Sequence, residues 1–244
     1  MTNNDNTSNI NWFVPLLLEK GISLTAQQLQ QFEDYYSMLV EWNEVMNLTG
    51  ITEHAAVYEK HFYDSISLAF FVDMNNVNSL ADIGSGAGFP SLPLKICFPH
   101  LKIVIVDSLN KRIQFLKELV EKLQLDNVTC IHGRAEDIAR LPEHRDQYDL
   151  VTARAVARLN VLNEFCLPFV KKEGMFVAMK GAQLKDELRE ASNSMKELKA
   201  RLMDEAQFQL PIEKSERYIV SIKKLQSTPK KYPRKPGLPL KQPL

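Results

Sequence analysis

The sequence has few residues that could cross-link the chain or hold a metal ion. Its three cysteines, Cys97, Cys130 and Cys166, are widely spaced and form no C-x-x-C pair, which argues against a disulfide framework and a zinc site. We interpret them as small buried side chains. The five histidines show no ligand spacing such as H-E-x-x-H. We therefore expect no metal.

Long apolar runs are also absent. The longest one near the middle of the chain, residues 66–72, is far shorter than the roughly 20 residues that a membrane-spanning helix needs. Residues 1–9 are polar and lack the basic and apolar regions of a secretory signal. These features predict a cytoplasmic protein with no membrane partner.

Acidic residues are missing from the C-terminal end. The chain carries 30 basic and 30 acidic side chains, but every charged residue after Glu216 is basic: Arg217, Lys223, Lys224, Lys230, Lys231, Arg234, Lys235 and Lys241. Five of the 12 prolines follow Ser227, and proline disfavours helix and sheet, so we predict an extended basic tail over residues 227–244. Such a tail could bind the phosphates of a nucleic acid, or it could be a solvated terminus without a partner.

The first 75 residues have helical patterns. Thr25 is a typical helix start, and apolar residues then recur at spacings of three and four through Asn47. An earlier helical segment, 12–20, is closed by Gly21, and a further one is predicted over 57–72. We predict an N-terminal helical extension over residues 1–75.

Residues 76–226 predict a different class of structure. Short runs of β-branched and apolar residues predict strands at 80–83, 103–106, 128–132, 148–152, 175–179, 207–211 and 218–225. Helical patterns separate the earlier strands, starting near residue 90 and at 113–123, 160–170 and 184–202. This alternation is typical of a parallel sheet with helices on both faces. The last two strands lack a long helix between them and could pair antiparallel at an edge.

A glycine cluster is the main functional signal. The chain has only nine glycines, and three of them, Gly84, Gly86 and Gly88, follow a predicted strand in the run Asp82-Ile83-Gly84-Ser85-Gly86-Ala87-Gly88-Phe89-Pro90. Glycine lets the backbone turn sharply and approach a ligand closely. The early proline suits the first turn of the helix that follows. A purely structural turn is the alternative interpretation.

The spacing of this cluster decides between ligands. A dinucleotide fingerprint, G-x-G-x-x-G, would need its third glycine at position 89, which is Phe89. The D-x-G-x-G-x-G pattern instead resembles the cofactor loop of S-adenosylmethionine-dependent methyltransferases. That resemblance makes Asp82, Gly84, Gly86, Gly88 and Phe89 candidate cofactor-binding residues.

Two later positions support a nucleoside site. Asp107 ends the second predicted strand, 19 residues past Gly88, where a carboxylate can accept hydrogen bonds from both ribose hydroxyls, and Ser108 follows it. Ala135 and Glu136 come after the third strand, where methyltransferases hold the adenine edge. The alternatives are a helix cap at Asp107 and an ordinary first-turn helix acid at Glu136.

The residues after the fourth strand, 151–158, indicate the methyl acceptor. They contain no D/N-P-P-Y/F run for amine methylation, no acid for activating a ribose hydroxyl and no cysteine nucleophile, but they include Arg154. These absences favour an acceptor that needs no deprotonation, such as guanine N7, whose lone pair is already nucleophilic. An arginine here suits the cofactor or a phosphate, because a cation beside N7 would oppose the charge that methylation creates.

Further motifs bring the resemblance down to one family. The runs that carry it are Asn47-Leu48-Thr49-Gly50, His61-Phe62-Tyr63-Asp64-Ser65, Ala81 to Pro90, Asp107-Ser108, Lys111-Arg112, Arg154-Ala155 and Met179-Lys180-Gly181. Together they resemble the ribosomal RNA small subunit methyltransferase G family, also called glucose-inhibited division protein B. The match covers essentially the whole chain.

The resemblance implies a fold, an activity and partners. The fold is a Rossmann-like, doubly wound α/β sheet of seven mostly parallel strands with an N-terminal helical extension. The activity is transfer of a methyl group from S-adenosyl-L-methionine to N7 of one guanosine in a conserved loop of 16S rRNA. The partner is 16S rRNA or the small ribosomal subunit, and we expect a monomer. A methyltransferase for a small molecule or protein, or a noncatalytic RNA-binding module, is the alternative.

Residue roles follow from the same resemblance. Arg154 and Lys180 are the catalytic candidates, with Lys180 facing the open end of the pocket or simply solvated at a strand end. Asn47, His61, Asp64 and Ser65 could close the pocket or touch RNA; for Asp64 and Ser65 the alternative is a helix cap. The RNA-binding candidates are Lys111, Arg112, Arg158, Lys180, Lys230, Lys231, Arg234 and Lys235.

Overall fold

The fold is built on one seven-stranded sheet. The computed structural model of the chain describes residues 10–182 and 184–244, so the polar run at 1–9 lies outside it. The strands are β1 Ser79–Ile83, β2 Lys102–Asp107, β3 Val128–His132, β4 Tyr148–Arg154, β5 Val170–Lys180, β6 Ala200–Gln209 and β7 Glu216–Lys224. Their order is β3-β2-β1-β4-β5-β7-β6, and β7 runs antiparallel to both of its neighbours while the other pairs are parallel. The predicted fold class is confirmed.

Helices cover both faces of the sheet. Successive strand residues point to opposite faces, so Leu80 and Leu150 enter one apolar cluster while Ala81 and Val151 enter the other. The helices are α1 Phe13–Glu19, α2 Ala26–Val45, α3 His54–Val57, α4 Asp64–Ile66, α5 Ser91–Cys97, α6 Asn110–Lys122, α7 Ala135–Ile138, α8 Leu159–Cys166, α9 Leu184–Glu190, α10 Ser192–Glu197 and α11 Leu238–Lys241. Burial on both faces explains why the central strands are almost continuously apolar.

The N-terminal helices pack on the first of these clusters. Thr25 caps α2 through a reciprocal pair of bonds with Gln28, in which each side chain accepts the other residue's backbone N–H. Gly21 ends α1 with a φ of +77°. The helix predicted over 57–72 begins earlier, at His54, and its turns Tyr58–Tyr63 form a π-helix between α3 and α4. Wide turns of this kind are common at functional sites.

The segment between α8 and β7 differs from the sequence prediction. The helix predicted over 184–202 is two short helices that end at Glu197, and Lys199 then takes a left-handed φ of +60°. The strand predicted at 207–211 is β6, which begins at Ala200. Most β6 side chains are exposed, so the strand lacks an apolar signal, and its pairing with β7 overrides the helical pattern.

The basic tail is docked on the sheet domain. The guanidinium of Arg145 donates to the backbone carbonyls of Thr228, Pro229 and Tyr232. Tyr232 is buried in the second apolar cluster. The prediction that proline would prevent helix here is wrong for α11, since its proline lies in the first turn, where no N–H donor is required.

A buried ion pair also holds the tail. Glu164 is fully buried on α8, and its carboxylate accepts from the backbone N–H and guanidinium of Arg234 at 2.6 to 3.0 Å. Lys231 makes a second tail ion pair, to Glu197, but on the surface. Removal of the Arg234 side chain would therefore leave a buried carboxylate without its cation, whereas removal of Lys231 would leave a surface carboxylate.

We expect Arg234→Met to lower the free energy of unfolding by about 3 to 5 kcal/mol, because it leaves the Glu164 charge buried and unpaired. The matched change Lys231→Met removes an exposed pair and should have little effect. Urea denaturation of both variants measures the difference. Equal effects would contradict the structural role assigned to Arg234.

Candidate active site

The turn from β1 to α5 depends on three left-handed glycines. Gly84, Gly86 and Gly88 have φ values of +74°, +63° and +99°. A Cβ on Gly84 would lie 2.8 Å from Val156, and one on Gly88 would lie 2.6 Å from the Tyr35 hydroxyl, so neighbours fill both places. A Cβ on Gly86 would meet no atom within 4 Å. Gly86 is therefore the point where the bend offers bare backbone to open space.

Asp82 lies at the base of this bend. Its carboxylate is fully buried, and its Oδ2 accepts from the backbone N–H of Ser91 at 3.2 Å, at the start of α5. Its Oδ1 has no hydrogen-bond partner within the described part of the chain. Burial raises the pKa of Asp82 to about 6, against the opposing influence of the hydrogen bonds.

Asp107 ends β2 beside the open glycine. Its buried carboxylate accepts from the backbone N–H of Gly86 at 3.1 Å and from that of Leu109 at 2.9 Å. Arg112 approaches the same carboxylate at 3.5 Å. Oxygens of a carboxylate keep further lone pairs, so Asp107 can still accept from a ligand. The structure thus brings together Gly86 and Asp107, which the sequence placed in one nucleoside site.

The residues after β3 are close to this site through the backbone. The N–H of Gly133 donates to the carbonyl of Asp107 at 3.0 Å, and Ala135 and Glu136 follow in α7. Glu136 is buried, but its Oε1 accepts from the backbone N–H of Gly237 in the tail at 2.9 Å. Ser108 is exposed. The tail thus engages the Glu136 carboxylate, and no sequence pattern predicts this contact.

An aromatic stack joins the N-terminal helices to the bend. The ring of Phe89 stacks on Tyr35 at 5.3 Å and on His61 at 4.6 Å between centroids. The guanidinium carbon of Arg154 lies 4.9 Å from the Phe89 centroid. Tyr35 also donates its hydroxyl to the Ala87 carbonyl at 2.6 Å. The three- and four-residue spacing of apolar positions on α2 includes Tyr36 but not Tyr35, so the sequence pattern does not predict the contacts of Tyr35 with the bend.

A cavity of about 480 Å³ opens beside the carboxyl ends of β4 and β5. Its lining includes four cationic residues, Lys60, Arg154, Lys180 and Arg217, and two acids, Asp64 and Glu187. Such a volume is in the range of small-molecule sites. Arg154, Lys180 and Asp64 belong to the motifs that carry the family resemblance. Lys60 and Glu187 resemble ordinary charged positions on helices, and Arg217 stands out in the sequence only as one of the C-terminal basic residues.

Most of the charge around this cavity is paired. Asp64 accepts from Arg154 at 2.9 Å through Oδ2 and from Arg217 at 3.2 Å through Oδ1. Lys60 pairs with Glu213 at 2.9 Å. Asp64 thus does not cap a helix; instead it holds two arginines at the cavity.

His61 lies between the cavity and the aromatic stack. Its Nε2 is 2.7 Å from the Thr49 hydroxyl, and its Nδ1 is 3.4 Å from Arg154. Burial, followed by the positive charge of Arg154, lowers the pKa of His61 to about 3. The imidazole is therefore neutral at physiological pH and holds its neighbours by hydrogen bonding and stacking.

Lys180 lines the cavity, but its ammonium group is held in place. Its Nζ pairs with Glu187 at 2.7 Å and donates to the Ala157 carbonyl at 2.9 Å, and only 10% of the side chain is exposed. The structure therefore does not show a freely solvated strand-end lysine.

The RNA-binding candidates are spread over several environments. Arg158 is exposed and pairs with Glu190, while Arg234 and Lys231 pair with Glu164 and Glu197. Arg112 faces Asp107. The exposed candidates with no ion pair in the described residues are Lys111, Lys230 and Lys235. Their contact with RNA stays a prediction.

The described residues, 10–182 and 184–244, contain neither a helix suited to span a membrane nor a cluster of metal ligands. None of their helices is long and apolar enough to span a membrane. None of their histidine, cysteine, aspartate and glutamate side chains gather in threes around a position for a metal ion.

Solved structures share this fold. TYW2 of M. jannaschii, determined in complex with AdoMet, has a TM-score of 0.53 and 16% identity, covering 67% of this chain and 74% of that chain. A SAM-dependent O-methyltransferase of Thermotoga maritima has a TM-score of 0.51 and 17% identity, covering 78% of this chain and 72% of that chain. At such identities the likeness concerns the fold alone.

Similarity in sequence identifies a family as well as a fold. The family model for rRNA small subunit methyltransferase G matches residues 28–215. Proteins named ribosomal RNA small subunit methyltransferase G are 59% identical in Bacillus subtilis, over 97% of this chain and 99% of the relative, and 56% identical in Listeria welshimeri, over 95% and 98%. The chain therefore belongs to the rRNA small subunit methyltransferase G family.

Proposed function

We propose that this protein transfers the methyl group of S-adenosylmethionine to N7 of a guanine base in 16S rRNA. The observation that carries the proposal is the open space beside the backbone of Gly86, whose N–H is held by Asp107, together with a cationic cavity whose described acids are all paired. Family membership supports the reaction and the class of RNA.

The bend after β1 fits the cofactor. It lies at the carboxyl end of β1, next to β4, where the order of the sheet reverses and α/β proteins bind nucleotides. The bare backbone at Gly86 allows close approach, and Asp107 supplies a buried acceptor for ribose hydroxyls. Ala135 and the backbone of Glu136 would face the adenine edge. When bound there, S-adenosylmethionine supplies an electrophilic methyl group.

The cavity fits an acceptor that needs no deprotonation. Among the titratable residues lining it, His61 has a pKa of about 3, Asp64 is bound by two arginines and Glu187 is paired with Lys180. None of these is an unpaired base at neutral pH. Guanine N7 carries an in-plane lone pair, so the protein's task is to hold the base and the cofactor in line. We assign that positioning to Arg154, through its contacts with Phe89 and Asp64.

The direct test is methyl transfer from labelled S-adenosylmethionine to small subunits isolated from cells that lack this enzyme, with naked 16S rRNA in parallel. We expect label in 16S rRNA and, after digestion, a single 7-methylguanosine. Label on another atom would contradict the N7 assignment. Absence of label in either form of the RNA, at any salt concentration, would overturn the proposed function.

Replacement of Gly86 tests the cofactor position. Leucine there fills the open space beside Asp107, so we expect Gly86→Leu to abolish detectable S-adenosylmethionine binding in a calorimetric titration. Gly21→Leu is the matched control, because Gly21 also has a positive φ of +77° with no atom within 4 Å of an added Cβ. Both variants incur the left-handed strain of about 1 to 2 kcal/mol. Unchanged affinity in Gly86→Leu would refute the placement.

Replacement of Asp82 tests whether burial of its carboxylate destabilises the folded protein. The folded pKa of about 6 exceeds the ordinary 3.8, so the protonated carboxyl stabilises the fold below about pH 4, and this contribution is lost as the pH rises through 6. We expect Asp82→Asn to raise the melting temperature at pH 7 by about 2 to 6 °C, with the gain shrinking towards pH 4.

The same variant should bind the cationic cofactor more weakly, because a buried negative charge has been removed. Thermal unfolding between pH 4 and pH 7.5, with and without S-adenosylmethionine, measures both effects. A melting temperature that falls at pH 7 would contradict the unfavourable burial of this carboxylate.

A further inference from the structure

Glu187 is an acid of the cavity whose two carboxylate oxygens differ in their contacts. Its Oε2 accepts from the backbone N–H of Leu159 at 2.7 Å and from Lys180 Nζ at 2.7 Å. Its Oε1 makes no hydrogen bond to the described residues, and the side chain, 11% exposed, lines the cavity. The two donors on Oε2 fix the carboxylate, so Oε1 is a preorganised acceptor.

The other acid of the cavity is not available in this way. Asp64 uses Oδ2 for Arg154 and Oδ1 for Arg217. Of the two carboxylates that line the cavity, Glu187 is therefore the one with an oxygen left for a ligand.

The chemistry of guanine matches this acceptor. Enzymes that modify a base take it out of the stack and recognise its Watson–Crick edge by hydrogen bonds. Guanine presents two adjacent donors on that edge, N1–H and the N2 amino group, and a single carboxylate oxygen such as Oε1, which only accepts and has two lone pairs, can take both. Adenine and cytosine place an acceptor at the corresponding ring nitrogen. N7 lies on the opposite side of the purine, so it stays free when this edge is bound.

We propose that Glu187 recognises the N1–H and N2 amino edge of the target guanine and so selects guanine over other bases. This inference rests on the proposed function. Lys180 is then a positioning residue: its ammonium group holds Oε2 of Glu187 and the Ala157 carbonyl and thereby fixes the carboxylate that touches the base.

A chemical double-mutant cycle tests this contact. The first substrate is the small subunit with its natural guanine, and the second is a subunit reassembled on 16S rRNA with inosine at the mapped nucleotide, which lacks only the N2 amino group. We expect the wild-type kcat/KM to be at least about tenfold lower for inosine, because a hydrogen bond to a charged group is lost. For Glu187→Ala the two substrates should be methylated at nearly equal rates.

Matched variants separate recognition from folding. Asp186→Asn changes a mostly exposed acid on the same helix and should keep the wild-type preference for guanine. S-adenosylmethionine affinity and melting temperature, measured for every variant, report whether the fold and cofactor site are intact.

The outcomes are distinct. Equal loss of activity on guanine and inosine in Glu187→Ala, with the preference for guanine retained, would overturn the inference and leave Glu187 with a supporting role only. A wild-type protein that methylates neither substrate would instead overturn the proposed function, and this inference with it.

Discussion

The left-handed bend between β1 and α5 is the constraint on which the rest of the structure depends. Only a residue without Cβ fits at Gly84 and Gly88, because Val156 and the Tyr35 hydroxyl occupy the neighbouring space. Those contacts bring the loop after β4 and the N-terminal helix α2 onto the bend from different parts of the chain. Gly86, between them, keeps its space open, and Asp107 holds its backbone N–H. Close packing around two glycines thus defines the opening at the third.

The N-terminal helices are part of the site and share its core. A single apolar cluster contains Phe13 and Tyr35 from these helices together with Phe89 and Leu116 from the sheet domain. The π-helical turn carries Lys60 and His61 to the cavity, and Asp64 follows in α4. A boundary at residue 75 therefore describes a change in sequence pattern, while packing and charge cross it.

Much of the fold followed from the sequence because local signals and tertiary packing agree there. Apolar runs and caps marked the five parallel strands, and the glycine spacing marked the bend. The exceptions are places where distant contacts decide. β6 is exposed and depends on pairing with β7, and α11 forms on a tail held by Arg145 and Glu164. Glu187 and Lys60 carried no distinguishing pattern, because their roles arise only when β5, α9 and the π-helical turn meet at one cavity.

A cationic site of this kind can serve the proposed reaction without a base, because its carboxylates and its histidine hold arginines, a lysine and an aromatic ring in position. In the proposed complex the cofactor lies over Gly86 with its sulfur towards the cavity. A crystal structure with S-adenosylhomocysteine would locate it. We expect density over Gly86 with the ribose hydroxyls on Asp107. Ligand bound elsewhere, or an empty bend at saturating ligand, would refute this placement.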